Sequence, residues 1–99
     1  MGKDLKITVI EIEGTCPVYQ KGDSFLLNKG YILIPENSCR ICMHSLASII
    51  PYHVALSHNI APASIGLSKK DENKAFLQCL NPCAYTDGGT VVFEVEILK

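Results

Sequence analysis

Near the end of the chain apolar and polar side chains alternate. Val91, Phe93, Val95 and Ile97 point one way, and Glu94 and Glu96 point the other. A period of two marks a strand with one buried face, which predicts a strand over Thr90–Leu98. Leu5–Ile12, rich in Ile and Val, reads as a second strand. Ser24–Leu27 and Tyr31–Ile34 flank Asn28-Lys29-Gly30, a hairpin turn, and Pro35 ends the second of these strands. Lys74–Leu80 reads as a further strand. Between them the period changes. Asn37-Ser38 is a helix start, and Ile41, Leu46, Ile49, Ile50, Val54 and Leu56 recur at roughly helical spacing. Pro51 should kink or split that helix, because it lacks an amide donor and its ring clashes with the preceding turn. Gly14–Gly22 and Asn59–Gly66 read as loops, Ser68–Asn73 as a helical turn and Thr86–Gly89 as a turn. The sum is an α+β fold: a small antiparallel sheet of four to five strands covered by one main, Pro-kinked helix. Ninety-nine residues without a linker or repeat make a single domain, 1–99.

Composition narrows the function classes. Hydrophobic residues are 47% of the chain, too many for a disordered segment. The net charge is -1, so there is no basic footprint for nucleic acid or an anionic membrane surface. The longest mostly apolar stretch, Ile41–Leu56, is interrupted by His44, Pro51 and His53. It falls short of the roughly 20 residues of a membrane span. The first residues run into Glu11 and Glu13 with no small-residue cleavage site, so no signal peptide is expected and the location is expected to be cytoplasmic. A small domain with an apolar excess leaves room for a protein partner or a homo-oligomer.

Chemistry is concentrated in five cysteines. The cytoplasm keeps thiols reduced, and an odd number cannot all pair within one chain. Cys39 and Cys42 form a C-x-x-C at the expected start of the helix. There Cys39 would lie in the first turn, where free amides stabilise a thiolate. Cys79 and Cys83 sit at and after the end of an expected strand, and Cys16-Pro17 follows the first strand. All five fall at element ends or in loops, which suits ligands that must converge at one edge of a sheet. Four thiolates suffice for a closed zinc site or a four-iron cluster, and His44, two residues after Cys42, is a substitute ligand. Buried cysteines also pack as small hydrophobes without any ligand.

Other motifs carry less. His53 and His58 are five apart, the wrong spacing for one helix face. Thr86-Asp87-Gly88-Gly89 precedes a strand rather than a helix and lacks the amides of a phosphate loop. Ser45 and Ser48 have no nucleophile-elbow context. The carboxylates are scattered, and no acid–base pair stands out.

Gly14-Thr15-Cys16-Pro17, Gly22-Asp23-Ser24-Phe25, Cys39 with His44 and Leu46, Pro51-Tyr52 with Ala55-Leu56, Leu77-Gln78-Cys79 with Pro82, and Val91-Val92-Phe93-Glu94 follow one another in this order over most of the chain. In this pattern the sequence resembles a family of short, uncharacterised, cysteine-containing proteins of anaerobic bacteria and archaea. The resemblance implies three cysteines of interest: Cys16, Cys39 and one of Cys79 or Cys83. Cys42 departs from it, since similar proteins tend to carry a small residue there. The anaerobic distribution leans toward iron–sulfur over zinc.

Three functions stay open at this point. The first is a metal- or cluster-binding protein, with Cys16, Cys39, Cys42 and Cys79 as ligands and Cys83 or His44 as substitutes, in electron transfer or as an accessory to an enzyme. The second is a thiol enzyme or dithiol redox protein that uses Cys39 with Cys42. The third is a small binding or structural domain whose cysteines only pack.

Overall fold

The computed structural model describes residues 2–37, 39–70 and 72–98. Five strands form one antiparallel sheet: β1 (Leu5–Gly14), β2 (Ser24–Asn28), β3 (Ile32–Pro35), β4 (Lys74–Gln78) and β5 (Gly89–Ile97). Their order is β3-β2-β1-β5-β4, so the two longest strands are central. Two short helices, α1 (Met43–Ile49) and α2 (His53–Ser57), pack buried side chains on one face, while α3 (Cys83–Thr86), which buries none, lies in the β4–β5 connection, and a 3-10 turn spans Pro62–Ile65.

The expected α+β class and the small antiparallel sheet are present. The single kinked helix is not. Pro51 splits it into α1 and α2, separated by Ile50, Pro51 and Tyr52. With its ring and missing donor, Pro51 prevents the ladder from running on. The helix also begins later than expected. Its first residue is Met43, and Cys42 is the N-cap. The proposed start at Ser38 lies outside the described residues, and Cys39 lies ahead of α1 rather than in its first turn. Among the described residues of Ser68–Asn73 there is no helical turn, and Asp71 lies outside them.

The core sits between the sheet and the helices. Leu5, Ile7 and Val9 of β1, Phe25 and Leu27 of β2, Ala75 and Leu77 of β4, and Val91, Phe93, Val95 and Ile97 of β5 face it, with Ile49 and Leu56 packed from α1 and α2. Each large side chain contributes roughly 1.5–3 kcal/mol by leaving water. The other face carries Lys6, Thr8, Glu94 and Glu96, none of them fully buried, and stays in contact with solvent.

A bulge in β1 protects this division. Val9 pairs with Phe93 and Glu11 with Val92, so Ile10 is an extra residue. Strict alternation from Leu5 would turn Glu11 and Glu13 inward, and burying each carboxylate costs several kcal/mol. The bulge resets the phase. Ile12 pairs with Val91 and packs on the core, while Glu11 and Glu13 are exposed. The β2–β3 turn is also as expected, with Lys29 at φ 58° and Gly30 at φ 86°. No helix among the described residues is long and apolar enough to cross a membrane.

Candidate functional site

Antiparallel pairing brings every cysteine to the same end of the sheet. β1 ends at Gly14, opposite Gly89 at the start of β5. β4 ends at Gln78, opposite Val92, and β3 ends at Pro35, opposite Phe25 near the start of β2. Cys16 follows β1, Cys39 and Cys42 follow β3, Cys79 follows β4, and Cys83 opens α3 just before β5. All five are free thiols.

Two glycines clip the Cys16 loop against β5. Gly14 takes φ 82°, which a side chain rarely adopts, and a Cβ there would stand 2.5 Å from the Gly88 carbonyl oxygen. A Cβ on Gly89 would stand 2.8 Å from the backbone nitrogen of Cys16. Thr15 N–H donates to the Gly88 carbonyl at 3.3 Å. The chain can therefore turn at Gly14 and lay Cys16 beside the first residue of β5.

Tyr19 ties this loop to the C-x-x-C segment. Its ring is buried and meets Phe93 edge-on, with centroids 5.5 Å apart at 82°. Its backbone N–H donates to Cys16 Sγ at 3.3 Å. Its hydroxyl accepts from the Cys42 N–H at 2.9 Å and lies 2.7 Å from Ser45 Oγ. Ser45 Oγ donates to the Cys42 carbonyl at 2.6 Å, so the Tyr19 hydroxyl donates to Ser45. Arg40 adds a second tie, from Nη2 to the Pro17 carbonyl at 3.1 Å. Cys16, Cys39 and Cys42 are half-buried and pack against the rim of the core.

Electrostatics do not favour a reactive Cys39. Burial pushes its thiol above the usual range, and the Asp23 carboxylate adds to this. With Cys39 ahead of α1, the helix amides expected to lower its pKa are not around it. Burial likewise pushes the Tyr19 phenol up. Its bonds with Ser45 and Cys42 oppose that shift, and the charges of Cys39 and Cys42 reinforce it.

Cys79 and Cys83 differ in surroundings. Cys79 is buried, accepts from the Val91 N–H at 3.2 Å, and donates to the Gly89 carbonyl at 3.5 Å. Its sulfur is already engaged by β5. Cys83 is half-buried, and its Cβ lies 3.2 Å from where a Gly14 Cβ would be. That places it beside the turn that leads to Cys16. His44 is exposed on the first turn of α1.

The five thiols share an end without closing on a common centre. Among the described residues, no group of three or more His, Cys, Asp or Glu side chains is arranged to hold a metal ion. Three residues with structural roles carry no signal in the sequence. Tyr19 lies in a loop and Ser45 inside a helix. His53 sits at the start of α2, and its Nδ1 donates to the Gly30 carbonyl at 2.7 Å, which clips α2 to the β2–β3 turn. Only their long-range partners reveal them.

No family model matches this sequence, no curated protein matches it significantly, and no solved structure matches its fold significantly.

Proposed function

We propose that the cysteine end of the sheet binds a soft metal or an iron–sulfur cluster through thiolates. The observation that carries this reading is the delivery of all five cysteines, from three separate connections between elements, to one end of the sheet. Packing alone gives no reason for such a bias. Cys16, Cys39 and Cys42 surround Tyr19 and form the nucleus of the ligand set. Cys83 supplies the fourth thiol more readily than Cys79, whose sulfur is buried and bonded to β5.

The donor set fits the chemistry, since thiolates select zinc and iron–sulfur clusters over harder ions. The sulfurs must rotate inward to meet a common ion, and metal binding and local ordering are then one event. Such a centre would carry electrons if it held iron and sulfide, and would brace the loops if it held zinc. The resemblance to proteins of anaerobes leans toward the first, in a reducing cytoplasm and as a carrier or accessory to a larger enzyme. The dithiol alternative is weaker, because the Cys39 thiol is pushed up rather than down.

Metal analysis and visible absorption on anaerobically purified protein test the proposal. The expected result is bound iron with sulfide and broad visible absorption, or stoichiometric zinc. Cys16→Ala should lower the metal content, whereas Cys79→Ala should leave it nearly unchanged. A colourless, metal-free, folded protein refutes the proposal.

A further inference from the structure

β3 departs from the rule that the other strands follow. β2, β4 and β5 alternate between more and less buried positions, as β1 does up to its bulge. All four residues of β3 are exposed, with Ile32, Leu33 and Ile34 at 43%, 40% and 39%, and Tyr31 just before them at 63%. A strand apolar on both faces belongs to the interior of a sheet. Here it lies on the edge. Edges are normally guarded by charges or bulges, and β3 has neither; only its shortness and Pro35 restrain it. The opposite edge is treated differently. At β4 the Phe76 N–H donates to the Leu67 carbonyl at 2.8 Å, so the chain covers part of that edge itself.

We infer that β3 is the contact between two copies of this chain, paired antiparallel about a two-fold axis through Leu33. In that register Leu33 meets its own copy, Ile32 meets Ile34 of the second copy, and Tyr31 meets its Pro35. Every exposed apolar residue of the strand gains an apolar neighbour. Charge selects the same arrangement. Lys29 precedes the strand and Glu36 follows it. Antiparallel pairing carries each lysine toward the glutamate of the other copy at both ends, whereas parallel pairing would set like charges together. Four residues on each side bury less than the roughly 800 Å² per partner of a standard interface. The dimer is therefore reversible and dissociates on dilution. The two sheets together would run to ten strands, with β3 no longer at an edge.

Sedimentation velocity over a concentration series tests this, with circular dichroism as the check on folding. The wild-type chain should pass from monomer to dimer as concentration rises. Leu33→Lys sets two ammonium groups against each other on the axis and should weaken association by about tenfold or more. Lys29→Glu should weaken it as well, and Lys29→Glu combined with Glu36→Lys should restore it. If Leu33→Lys does not fold, the Lys29 pair of variants decides. A wild-type monomer at every concentration overturns the inference, including the case in which the edge takes a strand from a different protein. A dimer indifferent to both single changes overturns it too.

Discussion

The hydroxyl of Tyr19 is the smallest group on which the geometry of the cysteine end depends, and Tyr19→Phe removes only that group. The phenyl ring stays, so the edge-on contact with Phe93 and the burial of the ring are kept. Two hydrogen bonds are lost: the one donated to Ser45 Oγ and the one accepted from the Cys42 N–H. Ser45 keeps its donation to the Cys42 carbonyl, so the uncompensated group is the Cys42 amide. Leaving a buried donor unpaired costs about 1–3 kcal/mol. Cys42 is half-buried, which places the expected loss near the middle, at about 2 kcal/mol. For a chain of this length that lowers Tm by roughly 8–16 °C. Tyr19→Ala adds the cavity left by the ring and should cost about 3–5 kcal/mol. Urea denaturation followed by circular dichroism separates the two variants. A double-mutant cycle with Ser45→Ala should give a coupling of about 0.5–3 kcal/mol. A Tyr19→Phe variant as stable as the wild type would refute the reasoning, as would one as unstable as Tyr19→Ala. The pH dependence points the same way. Since burial raises the phenol pKa, the hydroxyl's contribution is fully present below the ordinary tyrosine value of about 10 and is lost as pH rises through the folded value. The Phe variant should lack this alkaline loss.

Two further outcomes follow from the same end of the sheet. Alkylation of Cys39 in the metal-free protein should set in at higher pH than that of a free cysteine, because burial and the Asp23 carboxylate disfavour the thiolate; Asp23→Asn should move the onset down, and an onset below the ordinary thiol range would contradict the assignment. Gly89→Ala drives a Cβ to 2.8 Å from the Cys16 backbone nitrogen, so it should destabilise the fold by roughly 1–3 kcal/mol and change Cys16 reactivity, read by urea midpoint and by thiol labelling.

Local pattern determined much of this protein. The alternation of Val91, Phe93, Val95 and Ile97 placed β5 and its buried face. Asn28-Lys29-Gly30 placed the β2–β3 turn, and the Ile- and Val-rich run placed β1. These are statements about neighbours in sequence, and a side chain's neighbours along the chain decide its face. Pro51 signalled an interruption, but whether the helix bends or breaks depends on what packs beneath each half. Cys39 looked like a helix residue because Asn37 and Ser38 resemble a cap, whereas the loop tied down by Tyr19 and Arg40 holds the segment open until Met43. The bulge at Ile10 was legible in the sequence only as two glutamates in the wrong phase. The structure resolves that conflict by inserting a residue, because two buried carboxylates cost more than one broken ladder position. The cysteines show the same division. Sequence alone placed all five at element ends or in loops. Strand pairing decided that those ends are one end of the sheet, and contacts between residues far apart in sequence decided which sulfurs are engaged by the core. No local period encodes such contacts, since they form only when distant segments meet.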